Sequence, residues 1–194
     1  MRPSLYQWLM MGRGATTNPF DRHVLACSLA LVAAEPRPVT VSLGLSPGDL
    51  TSLLTNHFPH AVGLAADVLA NGDEPLAAEE PDLRLLLVES GSRGDPIEKW
   101  LAHIIARRSL EPNHLWQDLG LTARSDLSAL MLRHFAPLAA TNTLDMKWKK
   151  FFYRALCQRE GIALCKAPVC DECSDFSICF GQEEGEPLGR LALS

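Results

Sequence analysis

The 194-residue chain is 47% hydrophobic and 21% charged, with a formal net charge of −5 and a mean hydropathy of +0.02. That profile fits one ordinary folded domain, and a chain of this size can bury about 70% of its unfolded surface. The acidic balance argues against holding nucleic acid through general basicity. No apolar run reaches the roughly 18 residues needed to cross a bilayer, and LYQWLMM leads into GRGATTN without a cleavage signal, so a reducing cytoplasmic location is expected.

In chain order, an N-terminal segment over 1–17 precedes a predicted helix from Asp21 to Ala34, apolar all round and stopped by Pro36 and Pro38. Cys27 falls inside this helix and is expected to pack as a small hydrophobe. PVTVSLGL alternates like a strand but has no evident pairing partner, and is read as an extended connector. Ser46-Pro47 caps a helix bearing Leu50, Leu53, Leu54 and His57 that ends before Pro59. A helix over Val62–Ala70 closes on Asn71-Gly72, and the acidic EPLAAEEPD reads as an exposed loop.

Pro81 to Ser90 is predicted as a buried helix. Asp95-Pro96 starts another, with Ile97, Trp100, Leu101, Ile104 and Ile105 on one face and Arg107 and Arg108 near the C-terminus, where cations are favoured. PNHLWQDLGL is a turn into a short helix. Ser125 opens one with Leu127, Leu130, Met131 and His134 that Pro137 kinks or ends. MKWKKFFYRALCQREG, from Met146 to Gly161, is the most informative helix: Trp148, Phe151, Phe152 and Ala155 fill one arc, and Lys147, Lys150, Arg154 and Gln158 another. Gly161 is placed to end it. The fold class expected is all-α, a single compact helical domain over 18–161 with a C-terminal cysteine-rich metal-binding loop over 162–182 and a flexible tail over 183–194.

That loop puts Cys165, Cys170, Cys173 and Cys179 into fifteen residues as C-x4-C-x2-C-x5-C. Thiolates this close repel one another, and a free thiol has a pKa near 8.5, so a cation is needed to keep four deprotonated together. Reduced cytosolic thiols argue against disulfides. Charge does not separate zinc from iron-sulfur, since either centre with four thiolates sums to −2. Zinc sites usually join two C-x2-C knuckles, and only Cys170 and Cys173 form such a pair, so the spacing favours iron-sulfur while leaving zinc open. Lys147, Lys150, Arg154, Arg159 and Lys166 offer positive charge to offset the cluster and attract an oxyanion, with a solvated helix face as the plain alternative. Asp171, Glu172 and Asp175 add negative charge or cap short turns.

Taken together, MKWKKFFYRALC, GIALCKAPVCDECSDFSICFG and PNHLWQDLGL resemble the NifQ proteins of nitrogen fixation, and HVLACSLAL and GLSPGDL extend the likeness to most of the chain. The resemblance implies a non-enzymatic carrier that holds molybdenum in a molybdenum-iron-sulfur cluster and donates it to iron-molybdenum cofactor biosynthesis for nitrogenase. It also implies that Cys165, Cys170, Cys173 and Cys179 are the metal ligands, with Cys157 and His114 as further candidates, and that the receivers are the cofactor scaffold complex and the nitrogenase reductase component. For His114, a capping or core hydrogen-bonding role competes with ligation. Two other classes stand beside this one. A zinc-stabilised interaction module would use metal for folding alone; an iron-sulfur DNA glycosylase would share two of the three cysteine spacings, but this sequence is acidic and has no recognisable glycine-rich helix-hairpin-helix followed by a catalytic Lys or Asp. No G-x-S-x-G elbow, P-loop, G-x-G-x-x-G or H-E-x-x-H occurs, so hydrolase and nucleotide chemistry have no support.

Overall fold

The computed structural model describes residues 3–12, 18–63, 77–161 and 176–189. Among these the chain is all-α, without a strand: α1 (Leu5–Met11), α2 (Pro19–Val32), α3 (Val39–Leu43), α4 (Pro47–His57), a 3₁₀ turn (Pro59–Ala61), α5 (Glu80–Glu89), α6 (Pro96–Arg108), α7 (Leu115–Asp118), α8 (Arg124–His134), α9 (Ala136–Ala139), α10 (Trp148–Arg159) and α11 (Phe176–Cys179). No described helix is long and apolar enough to cross a membrane.

The packing centres on α6, which touches α3, α4, α5 and α7. Its expected face is buried: Ile97, Trp100, Leu101, Ile104 and Ile105 all lie in the core, and Asp95 with Pro96 starts the helix as anticipated. α4 likewise begins on Ser46, whose hydroxyl accepts from the Asp49 amide at 3.0 Å, and buries Leu50, Leu53, Leu54 and His57. α2 starts two residues before the predicted Asp21, because Asn18 Oδ1 accepts from the Phe20 amide at 2.9 Å and Pro19 suits the first helical position. Most of the helix expected over 62–70 falls outside the described residues.

Two expectations are corrected. PVTVSLGL is not an extended connector, because Val39–Leu43 form a helical turn with all five residues buried. Gly44 closes it at φ +65°, where a Cβ would lie 2.7 Å from Arg84 Nη2 and 2.9 Å from Arg107 Cβ, so the turn needs glycine for its backbone and for space. The alternation misled because both faces of the segment are covered, and no face then has to be polar. Second, the end of EPLAAEEPD is not exposed: Glu80 is fully buried, accepting from Arg84 Nε at 3.1 Å with Arg107 Nη1 at 3.4 Å. Arg107 and Arg108 stand in the last turn of α6, as expected, and both are buried there. Arg108 donates to Glu35 at 2.7 Å and to the Asp118 carbonyl at 2.6 Å. A buried guanidinium is tolerable only when so paired.

A second buried network ties α2 to α8. Asp21 accepts from Arg133 Nε at 2.7 Å and lies 2.9 Å from His134 Nε2, with Glu98 3.8 Å from the other ring nitrogen. Burial pushes the Asp21 carboxyl up, but hydrogen bonds from Arg133 and His134 outweigh it, and the net value lies below the usual carboxylate range.

Candidate metal centre

Cys165, Cys170 and Cys173 lie outside the described residues, and Cys179 is the motif cysteine whose surroundings are visible. Among the described residues no three His, Cys, Asp or Glu side chains converge as a metal site. Cys179 ends α11 and is half-buried against the core. Its carbonyl accepts from the Lys147 amide at 2.9 Å, and Lys147 Nζ approaches the Ser177 carbonyl at 3.4 Å. Phe176 and Phe180 stack with ring centroids 4.4 Å apart, and Phe180 is buried. The last cysteine of the motif is therefore fixed at the N-terminal end of α10.

α10 holds that position because the turn before it is locked. Asn142 brackets Met146, accepting from its amide and donating to its carbonyl, both at 2.9 Å. Arg124 donates to the Asp145 carboxylate at 2.8 Å and to the Asp145 carbonyl at 3.0 Å, while Asp145 takes the left-handed backbone at φ +52°. Trp148, Phe151 and Phe152 then drive the helix into the core. Their rings meet edge-on or tilted at 5.8 to 6.1 Å, as aromatic quadrupoles prefer. Lys149, beside the basic arc, is structural: its ammonium donates to the Asn113 carbonyl at 2.7 Å and to Asp118 at 2.6 Å.

The chain is gripped again after Cys179. The Glu183 side chain is buried, with Oε1 3.6 Å from His114 Nδ1 and Oε2 3.6 Å from Arg124 Nε. Gln117 Nε2 donates to the Glu186 carbonyl at 2.8 Å, and the neighbouring Gly185 takes φ +144°, a backbone that favours glycine where the segment lies against α7. His114 stands at the start of α7, where its amide donates to Gln117 Oε1 at 3.2 Å. Arg124, Glu183 and Gln117 were not legible as site residues in the sequence. Their partners lie 59 to 69 residues away along the chain, and although Gln117 falls within PNHLWQDLGL, nothing local to that stretch points to Glu186.

The other candidates are spread along α10. Lys150 is exposed and makes no ion pair among the described residues, and Arg154 lines a cavity beside residues 141–146. Arg159 turns away to Glu89 at 3.0 Å. Cys157 is half-buried, ten residues beyond Lys147, which at 1.5 Å per residue is about 15 Å along the axis. Cys157 and Cys179 thus sit toward opposite ends of one helix. Cys27 is fully buried as expected, and burial, with the charge of Asp126, pushes its thiol up to about 12. It is a packing residue.

The NifQ family profile matches residues 24–181. The Protein NifQ homolog of Sinorhizobium fredii (strain NBRC 101917 / NGR234) is 41% identical over 179 residues, covering 89% of this chain and 78% of the relative. Protein NifQ of Rhodobacter capsulatus is 42% identical over 164 residues, 82% of this chain and 87% of the relative. Protein NifQ of Azotobacter vinelandii is 36% identical over 152 residues, 73% and 78% respectively. No solved structure matches. With a profile that spans most of the chain, including the helix and cysteine motif just described, and relatives aligned over most of their own length, the chain belongs to the NifQ family of nitrogen-fixation proteins.

Proposed function

We propose that the chain is a non-enzymatic cytoplasmic carrier: it takes molybdenum into a molybdenum-iron-sulfur cluster held by Cys165, Cys170, Cys173 and Cys179, and donates it to iron-molybdenum cofactor biosynthesis. The observation that carries the reading is the seat of Cys179, tied through its carbonyl to Lys147 at the start of a twelve-residue helix. A cluster with a residual charge near −2 is favoured by the positive end of that helix and by the ammonium groups of Lys147 and Lys150. Thiolate and sulfide are soft donors suited to both iron and molybdenum.

The protein's own groups have separate tasks in this scheme. Phe176 and Phe180 set the last ligand in place, and Lys147 and Lys150 offset charge. His114 acts as a positioning residue through Glu183 and stays outside the ligand set. Cys157, about 15 Å along α10 from Lys147, is also outside it. The exposed Phe176 and Ile178 mark the face on which a receiver docks, and family membership supports the cofactor scaffold complex and the nitrogenase reductase component as receivers.

Metal analysis tests the reading. Anaerobically isolated protein is expected to be brown and to contain iron and molybdenum, and a Cys170→Ala/Cys173→Ala variant is expected to lose both. A colourless protein holding one zinc would overturn the carrier in favour of a zinc-stabilised interaction module.

A further inference from the structure

We propose that Arg124 is the positioning residue for the last cysteine of the motif, its single guanidinium bracing both the peptide group that holds Cys179 and the segment that follows it. That Cys179 is a metal ligand rests on the carrier reading; the brace itself rests on geometry. Arg124 is the first residue of α8, where the helix macrodipole disfavours a cation and Asp126 is the acidic residue of the first turn. The helix gains nothing from an arginine there. What the side chain reaches accounts for it: Nη2 lies 2.8 Å from Asp145 Oδ1, 3.0 Å from the Asp145 carbonyl and 3.3 Å from the Met146 carbonyl, while Nε lies 3.6 Å from Glu183 Oε2.

The Met146 carbonyl and the Lys147 amide belong to one peptide group, and that group is planar. Arg124, with Asn142 Nδ2 at 2.9 Å, holds its oxygen, and this fixes the direction of its N–H, which donates to the Cys179 carbonyl at 2.9 Å. Donors on the oxygen also polarise the group and strengthen the N–H as a donor. The charge of Arg124 thus reaches Cys179 through a single peptide. On the other side of the cysteine, Glu183 comes four residues later, and its side chain, only 4% exposed, needs a cation beside it. Both tasks together call for a guanidinium, whose rigid plane aims Nη2 and Nε at different partners; lysine has one ammonium to offer.

The test is amide hydrogen exchange of the full chain, read at Lys147 by NMR with the buried Leu53 of α4 as internal reference. Arg124→Ala is expected to speed exchange at Lys147 about tenfold to a hundredfold, the scale of a hydrogen bond to a charged group, and to leave Leu53 unchanged. Arg124→Lys keeps the charge and loses the fork, so it is expected to exchange about tenfold faster at Lys147, and it decides the matter should Arg124→Ala fail to fold. In anaerobically isolated protein both variants are expected to surrender iron to a chelator about tenfold faster and to show an altered thiolate-to-metal absorption per iron, a signature that lowered stability alone would not move. Wild-type exchange at Lys147, equal acceleration at Leu53, or full restoration by Arg124→Lys would overturn the two-sided brace. Unchanged iron release and absorption beside faster exchange at Lys147 would overturn its role at Cys179. Wild-type protein without iron would instead overturn the carrier reading, while exchange at Lys147 still decides the brace.

Discussion

The two ends of α10 are built on opposite plans. At the N-terminal end almost every polar group is committed: Asn142 to Met146, Arg124 to Asp145, Lys149 to Asp118, and the Lys147 amide to Cys179. Further along, Cys157 and Gln158 are half-buried or exposed, and Arg154, Ala155 and Gln158 line a cavity against residues 141–146. One end is made to hold a neighbouring segment in a fixed place, the other to remain open to solvent. A metal-bearing loop needs the first kind of support, since geometry around a cluster must be imposed by packed, hydrogen-bonded neighbours.

Breaking the committed end or the scaffold beneath it should be costly. Phe152→Ala empties a fully buried ring position and is expected to lower stability by about 3–5 kcal/mol in urea denaturation. Glu80→Ala leaves Arg84 and Arg107 facing an empty buried site, with a comparable cost of about 3–5 kcal/mol in the same assay. Asn142→Ala removes both brackets on Met146 and should cost about 1–3 kcal/mol, with faster amide exchange at Lys147 if Cys179 loses its seat. At the open end, Gln158→Ala, on an exposed residue, is expected to change stability by less than about 0.5 kcal/mol. A large loss there would mean that this glutamine is structural and that the contrast is wrong.

Acid sharpens the same contrast because the titrating groups sit in the scaffold. Burial lowers the His57 pKa below its usual 6.5, and burial, followed by the charge of Arg84, lowers that of His103. Both histidines stay neutral in the fold while the unfolded chain takes up protons, so stability should begin to fall as pH drops below about 6.5. Asp21 and Glu35 have values held below 3.8 and 4.5 by their arginine and other hydrogen bonds, against burial that pushes them up. Their contribution is complete above those unfolded values and is lost as pH falls through the lower folded ones. Thermal melts from pH 8 to pH 3 should show this two-stage decline, and a flat profile would contradict it.

What could be read from sequence follows how local the physics is. The faces of α4, α6 and α10 were legible because a 3.6-residue apolar period and Ser-Pro or Asp-Pro starts are local signals. Gly161, at φ +68°, ends α10 region for the same local reason. Val39–Leu43 misled, since burial on both faces erases the cue that separates strand from helix. The ion pairs of Glu80, Arg108 and Asp21 were invisible because charged residues read as surface until their distant partners are known. At the site, the cysteine spacing and the basic arc stood out, whereas the grip of Arg124 and His114 on Glu183 depends on the fold.

The central claim is that the metal sits at the N-terminal end of α10, with Cys179 in its ligand set and Cys157 outside it. Iron and molybdenum counts per chain in anaerobically isolated Cys179→Ala and Cys157→Ala variants test it most directly. Loss of metal in Cys179→Ala with wild-type content in Cys157→Ala is the predicted result; full metal in Cys179→Ala, or equal loss in both, would contradict it.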